Sequence, residues 1–221
     1  MEDSGNLEIF KKPNGQRGVR ALKAFEKDER VLFEKPTFWL GARDDQLGQG
    51  LAWGLAGHIA LNFPNALKDM LEAGYQPLYK PELSKRDKKV LKFIASKTKL
   101  AEGRVRAIYY MVVTYNLNTQ FMGYLNGQVL YGKRAVICDT FSFINHSCLP
   151  NTYRPECKPY EQFVQQIEEE LVATRKIDFG EEITWSYAGD LPNELKSRQQ
   201  LLHQKFGFWC SCKRCKAERS A

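Results

Sequence analysis

The chain has 221 residues, 43% of them hydrophobic, which is enough apolar material for one ordinary core with a small satellite. A formal net charge of +7 suits anionic partners without naming one. No apolar run approaches the roughly 20 residues needed to span a bilayer, and the opening MEDSGNLEIFKKPNG is too polar for a signal peptide, so the expectation is an intracellular protein of nucleus or cytoplasm with no membrane partner.

Three short runs of strand composition come first: LEIF (Leu7 to Phe10), GVRAL (Gly18 to Leu22) and RVLFE (Arg30 to Glu34). Pro13, Asn14 and Gly15 separate the first two and the charged turn FEKDE precedes the third, which predicts a small antiparallel β unit. From about Leu51 the period lengthens. LAWGLAGHIAL, NALKDMLEAG, SKRDKKVLKFIASK and EGRVRAIYYMVVTYNL then read as helices. Ser84 with Asp87 gives the third a capping-box start, and Gly74 stops the second. Strand patterns return in RAVICDTF (Arg134 to Phe141) and FVQQIEEELVATRKI (Phe163 to Ile177), then after the DFGEE turn in ITWSY (Ile183 to Tyr187). Beyond Pro192, NELKSRQQLLHQKFG reads as a last helix with Asn193 as its N-cap and Gly207 as its end. Internal repeats and a glycine-rich phosphate loop are absent from the sequence.

The basic excess lies mainly in KPELSKRDKKVLK (Lys80 to Lys92) and KRCKAER (Lys213 to Arg219). A solvated helix face and a basic tail account for both. A nucleic-acid surface is the competing reading, without the interleaved aromatics that stack bases. Cysteines fall at 138, 148, 157, 210, 212 and 215, and the last three form C-x-C-x2-C. That spacing brings three thiolates within reach of one ion, and tetrahedral zinc needs a fourth ligand. Cys138, Cys148, Cys157, His146 and His203 are the candidates, and spacing does not choose among them. NGQRGVRA (Asn14 to Ala21) reads as a hairpin turn or as a loop hugging a polar ligand, and Tyr187 after GEEITWS as a half-buried core residue.

GQRGVRA, FSFINHSCLPN, GEEITWSY and FWCSCKRC, in that order, resemble the SET-domain protein lysine methyltransferases and cover most of the chain outside the helical block. The SMYD and fungal SET-only branches are the most similar, but with no cysteine before Cys138 the MYND zinc finger of SMYD proteins is missing. The resemblance implies an α+β protein, mostly β with a helical insert. Its fold would have several small sheets and a pseudoknot near NHSC, with a SET domain over residues 1–190, the insert at about 45–128, and a C-terminal helix and zinc-binding post-SET segment over 191–221.

It further implies an S-adenosylmethionine-dependent protein-lysine N-methyltransferase and chromatin regulator acting on a histone tail or another protein. Tyr187 would be catalytic. Arg17, Gly18, Ser142, Asn145, His146, Tyr187, Phe206 and Phe208 would bind the cofactor, with Asn116 and Asn118 competing for one further contact. Cys148, Cys210, Cys212 and Cys215 would hold one structural zinc ion. The basic segments would offer a contact to nucleosomal DNA, since a positive protein does not favour a basic tail, and acidic patches such as Glu168 to Glu170 would matter to the substrate. A SET-like scaffold that recruits chromatin partners and a zinc-dependent nucleic-acid binder are the alternatives.

Overall fold

The computed structural model describes residues 4–13, 15–43, 50–76, 79–115, 117–125, 128–155, 168–189 and 191–220. They fall into two compact units: residues 1–35, 138–156 and 167–221 make one, and 36–137 and 157–166 the other. No helix among the described residues is long and apolar enough to cross a membrane.

In the first unit β1 (Leu7–Lys11) and β2 (Arg17–Ala21) form an antiparallel hairpin. Its turn closes through Lys12 N–H to the Gln16 carbonyl at 2.7 Å and Gly15 N–H to the Lys12 carbonyl at 2.9 Å. Gly15 sits at φ +84°, a left-handed conformation that favours glycine. β10 (Glu182–Trp185) pairs antiparallel with β2 and parallel with the two-residue β7 (Asn145–His146), in the order β1-β2-β10-β7. A second sheet runs β3 (Arg30–Glu34), β9 (Glu169–Ala173), β8 (Thr152–Tyr153), all antiparallel. Val19, Leu32, Ile144, Leu171 and Ile183 are buried between these strands and supply the apolar side of each pleat.

One carboxylate brings the chain into β7. Glu34 accepts the N–H groups of Thr140 at 2.7 Å and Phe141 at 2.9 Å, starting a 3-10 helix over Phe141–Phe143 that leads into the strand. This ends the strand read in RAVICDTF at Ile137, because those two amides go to a carboxylate instead of a ladder. Burial pushes the Glu34 carboxyl above its usual range, against the pull of the two donors.

The last helix is α5 (Leu195–Phe206), ended by Gly207 at φ +75°. Asn193 does not cap it. Glu194 holds the N-cap position without a side-chain bond to a helix N–H, its carboxylate accepting the Ser197 hydroxyl, and the Asn193 carbonyl accepts from Arg198 and Arg214. KRCKAER is not a free tail but a helix, α6 (Lys213–Arg219), with Cys215 buried and Glu218 bonded to both Arg198 and Arg214.

The second unit holds α1 (Leu51–Asn62), α2 (Ala66–Glu72), α3 (Lys85–Thr98) and α4 (Glu102–Tyr115). All lie within about two residues of the periodic segments that predict them. A sheet of order β4-β6-β5 accompanies them: β4 (Phe38–Arg43), β5 (Leu117–Leu125) and β6 (Gln128–Ile137). The α3 capping box forms as the sequence predicts. Ser84 Oγ accepts the Asp87 N–H at 3.2 Å, and the Asp87 carboxylate accepts the Ser84 N–H at 2.9 Å. Asp87 also accepts the Trp53 indole N–H at 2.8 Å, and Trp53 stacks on Tyr109 at 3.7 Å, so one acid joins three helices.

Ser84→Ala should cost about 1 kcal/mol in urea unfolding. The Ser84 hydroxyl, ahead of the Trp53 indole, holds the Asp87 carboxyl below its usual range against desolvation. A depressed folded value contributes stability that is full above the unfolded pKa of about 4 and is lost as pH falls through the folded one. Asp87→Asn should therefore flatten the acid limb of the stability curve below about pH 4, which urea titrations at stepped pH would reveal.

Candidate functional site

The site lies in the first unit around β7. Asn145 Nδ2 donates to the Arg17 carbonyl at 2.7 Å and to Glu182 Oε1 at 2.8 Å. Both partners are acceptors, which fixes the amide flip and leaves Oδ1 as the atom the side chain can present to a ligand. Lys12 Nζ meets the same Glu182 oxygen at 2.7 Å. A Cβ on Gly18 would fall 2.8 Å from Glu182 Oε1 and 3.0 Å from Asn145 Nδ2, so the glycine is needed where three strands approach. The two glycines of NGQRGVRA thus do different work: Gly15 makes the turn, and Gly18 lies within β2 and admits Asn145.

The neighbouring His146 is half-buried, and desolvation pushes its imidazole down to about 4, so the ring is neutral near pH 7. Its Nδ1 accepts the Tyr187 N–H at 3.2 Å, so the ring proton sits on Nε2, 3.3 Å from Cys148 Sγ. Tyr187 follows β10 and donates its hydroxyl to the Ile144 carbonyl at 2.8 Å. His146, Phe206 and Phe208 surround its ring at centroid distances of 5.3, 5.5 and 6.1 Å, and Trp185 lies 5.5 Å away. Arg17 sits over the Phe143 ring at 5.1 Å. Ser142 is engaged elsewhere, its Oγ accepting the Cys138 N–H at 3.0 Å.

Beside this aromatic nest the Sγ atoms of Cys148, Cys210, Cys212 and Cys215 all lie within 4.8 Å of one another. Cys148 is 3.8 Å from Cys210 and 3.5 Å from Cys215. A disulfide needs about 2.05 Å, whereas a zinc tetrahedron with bonds of about 2.3 Å has edges of about 3.8 Å. The donor set therefore fits a soft tetrahedral cation. Burial raises the Cys210 thiol to about 11 and the Cys148 thiol further. Burial also opposes charge on Cys212, but N–H groups of Cys215 and Cys148 donate to it and bring it down to about 6. A metal that binds here must displace the protons of the raised Cys148 and Cys210 thiols. Cys138 and His203 stand outside the cluster: Cys138 is buried elsewhere, and His203 stacks on Trp209 at 4.3 Å. Cys157 and Asn116 lie outside the described residues, as does the side chain of Asn118.

Several residues of the site went unread in the sequence. Gln199 binds the Cys210 backbone through both ends of its amide, at 2.9 and 2.8 Å. Arg198, fully buried, reaches Glu218 and lies 4.0 Å from Cys215 Sγ. Asn151 accepts the Thr184 N–H at 2.8 Å and donates to the Glu182 carbonyl at 2.9 Å, lacing LPN to β10. Glu182 and Asn151 lie inside GEEITWSY and FSFINHSCLPN, but the partners they meet are far off in sequence. The expected acidic patch is partly consumed: Glu169 is buried against Arg154 at 2.8 Å, and Glu168 lies 3.9 Å from Lys35.

The SET-domain family pattern matches residues 16–188. A histone-lysine N-methyltransferase, SET5, of Saccharomyces cerevisiae is 34% identical over 110 residues, 50% of this chain and 17% of that protein. A SET domain-containing protein of Acanthamoeba polyphaga mimivirus is 29% identical over 129 residues, 53% of this chain and 44% of its own. A SET and MYND domain-containing protein of Dictyostelium discoideum is 36% identical over 74 residues, 34% and 19% of the two chains. The chain covers less than half the length of each of these relatives. With a family match over most of its length, and with NHSC, GEEITWSY and the C-terminal thiols gathered around one strand, the chain belongs to the SET-domain family.

Proposed function

We propose that this chain is a protein-lysine N-methyltransferase that uses S-adenosylmethionine, carries one structural zinc ion on its four thiols, and acts on a histone tail or another protein. The observation that carries the reading is the meeting of His146, Tyr187 and Phe208 in one aromatic-walled nest beside the thiol cluster, with Asn145 fixed next to it in β7 by the Arg17 carbonyl and Glu182. The printed activity of the yeast relative supports the same reaction class.

When bound, S-adenosylmethionine supplies a methyl group on a positively charged sulfonium. Asn145 Oδ1 suits an ammonium group, and His146, Phe206 and Phe208 offer flat faces to an adenine ring. Tyr187 and Trp185 attract a cation through their rings. Ser142 would line the nest less directly, through the backbone it holds. Cys148, Cys210, Cys212 and Cys215 would hold the zinc ion, which would cross-link Cys148 to the segment 210–215.

The acceptor amine needs a free lone pair. A lysine of pKa about 10.4 is roughly 3.4 units from neutrality at pH 7, a cost on the order of 4.6 kcal/mol. An aromatic wall that excludes water disfavours the ammonium and lowers that cost, and no dedicated base is required. The Tyr187 hydroxyl, aimed by the Ile144 carbonyl, and its backbone, aimed by His146, hold the amine in line.

Tyr187→Phe should lower labelled-methyl transfer to a histone mixture by about a hundredfold or more while metal content and melting temperature stay near those of the parent. A fully active variant would remove Tyr187 from the mechanism. Cys212→Ala should lose the metal and lower the melting temperature together, whereas Cys138→Ser should retain the metal. Elemental analysis of the purified proteins decides between them, and a metal-free parent would end the zinc assignment. His146→Asn, which keeps an acceptor for the Tyr187 amide, should retain more kcat than His146→Leu at equal metal content. Equal rates would show that this hydrogen bond does not aim the tyrosine.

A further inference from the structure

The second unit carries a feature that methyl transfer does not use. Between residues 80 and 99 there are eight basic residues against Glu82 and Asp87, in a chain whose whole net charge is +7. Lys85, Lys88, Lys89 and Lys92 are all exposed, and their i, i+3, i+4, i+7 spacing sets them in one stripe about 10 Å long on α3. Arg86, Lys97 and Lys99 are exposed at its margins. Among the described residues none of these seven forms an ion pair.

The arrangement is unfavourable for the helix alone. Like charges three and four residues apart repel, and cations in the first turns oppose the helix dipole. Asp87 does not relieve them, since its carboxylate is taken by Ser84 and Trp53. The opposite face, Leu91 and Ile94, is buried inside the unit. That burial distinguishes α3 from a basic amphipathic helix that lies on lipid, because no apolar face is left to insert. Phe93 is the exposed aromatic of the helix, and Lys97 lies over it at 5.6 Å, so there is no row of rings on which single-stranded bases can stack. What α3 presents is a compact row of lysine charges on a rigid support, the chemistry that neutralises successive phosphates of a duplex without reading bases. In the other basic segment the arginines are engaged internally, Arg214 by Glu218 and Arg219 by the Cys210 carbonyl, which leaves the exposed Lys213 and Lys216 against the four lysines of the stripe.

We propose that the Lys85–Lys88–Lys89–Lys92 stripe of α3 docks the phosphate backbone of duplex DNA. The choice of DNA over duplex RNA rests on the histone-methyltransferase reading above.

The test is fluorescence anisotropy of a labelled 20-base-pair DNA of arbitrary sequence with the full chain, without cofactor, between about 50 and 200 mM salt. The parent should bind with a log–log salt slope of about −4 or steeper. The quadruple variant Lys85→Gln, Lys88→Gln, Lys89→Gln, Lys92→Gln should lose about three to four units of slope and at least about tenfold in affinity at 100 mM salt. A control with the same charge loss replaces Lys23, Lys27, Lys35 and Lys176, each near an acid, by Gln and should stay within about threefold of the parent. A control that falls as far as the stripe variant would reduce the effect to net charge and overturn the proposal. So would a stripe variant that binds like the parent, or tighter parent binding to duplex RNA, polyglutamate or phosphatidylserine vesicles. The stripe variant should melt no lower than the parent, because repulsion has been removed. A clearly lower melting temperature would assign the lysines to the fold and also overturn the proposal. A chain that binds DNA but transfers no methyl group would leave this inference standing and remove the enzymatic one.

Discussion

The parallel pairing of Asn145–His146 with Thr184–Trp185 is only two residues long, yet every group of the candidate site is placed relative to it. Backbone alone holds so short a strand weakly, and the sequence supplies side chains that extend the ladder. Asn151 presents its amide to the Thr184 N–H and the Glu182 carbonyl, imitating a further backbone pair beyond Ser147. Glu34 gathers the amides just before the strand. Each of these polar groups is wholly or largely buried, so removing one partner strands the other at a cost of about 1–3 kcal/mol. The register of β7 is thereby fixed, and with it the faces toward which Asn145 and His146 point.

The thiol cluster meets a different problem. A ladder can hold Cys148, but the segment that must approach it lies some sixty residues on and is short of apolar contacts. Leu202, Phe206 and Phe208 pack against the thiols, and Gln199 binds the Cys210 backbone as a neighbouring strand would. Arg198 brings a buried positive charge to Cys215 and Glu218. The protein thus approximates the four sulfurs with its own side chains, and a cation would complete what they begin. Loop closure on this scale is where a cross-link removes the most freedom from the unfolded chain.

The helices were legible because their apolar residues recur every three or four positions and their ends carry Ser84, Asp87, Gly74 and Gly207. The long hairpin was not. β5 and β6 pair Leu125 with Gln128, and the sequence between them reads Asn126–Gly127, the strongest short hairpin signal there is. Glycines at 123 and 132 and scattered polar residues blur the two-residue alternation, so the signal was submerged in the helical block. β7 and β8 are too short to have any period. The motif residues of the site were legible, but the groups that orient them, Glu182, Gln199, Asn151 and Ile144, were not. Their role is set by partners across the fold, and no spacing along the chain encodes it. Asn193 shows the converse: a good capping residue by type, diverted because two arginines claim its carbonyl.

The orienting groups share one property that bears on the chemistry. Asn145 is fixed by a backbone carbonyl and a carboxylate, His146 by a backbone N–H, and the Tyr187 hydroxyl by a backbone carbonyl. Backbone partners cannot change protonation, and His146, depressed to about 4 by burial, does not ionise near neutral pH. His146 therefore gives the nest no switch near neutral pH. Under the proposed lysine methylation, a rise of rate with pH between about 7 and 9 would belong to the acceptor amine losing its proton on the way in. Under that proposal the site would fix geometry and exclude water, and the proton would go to solvent before the amine arrives.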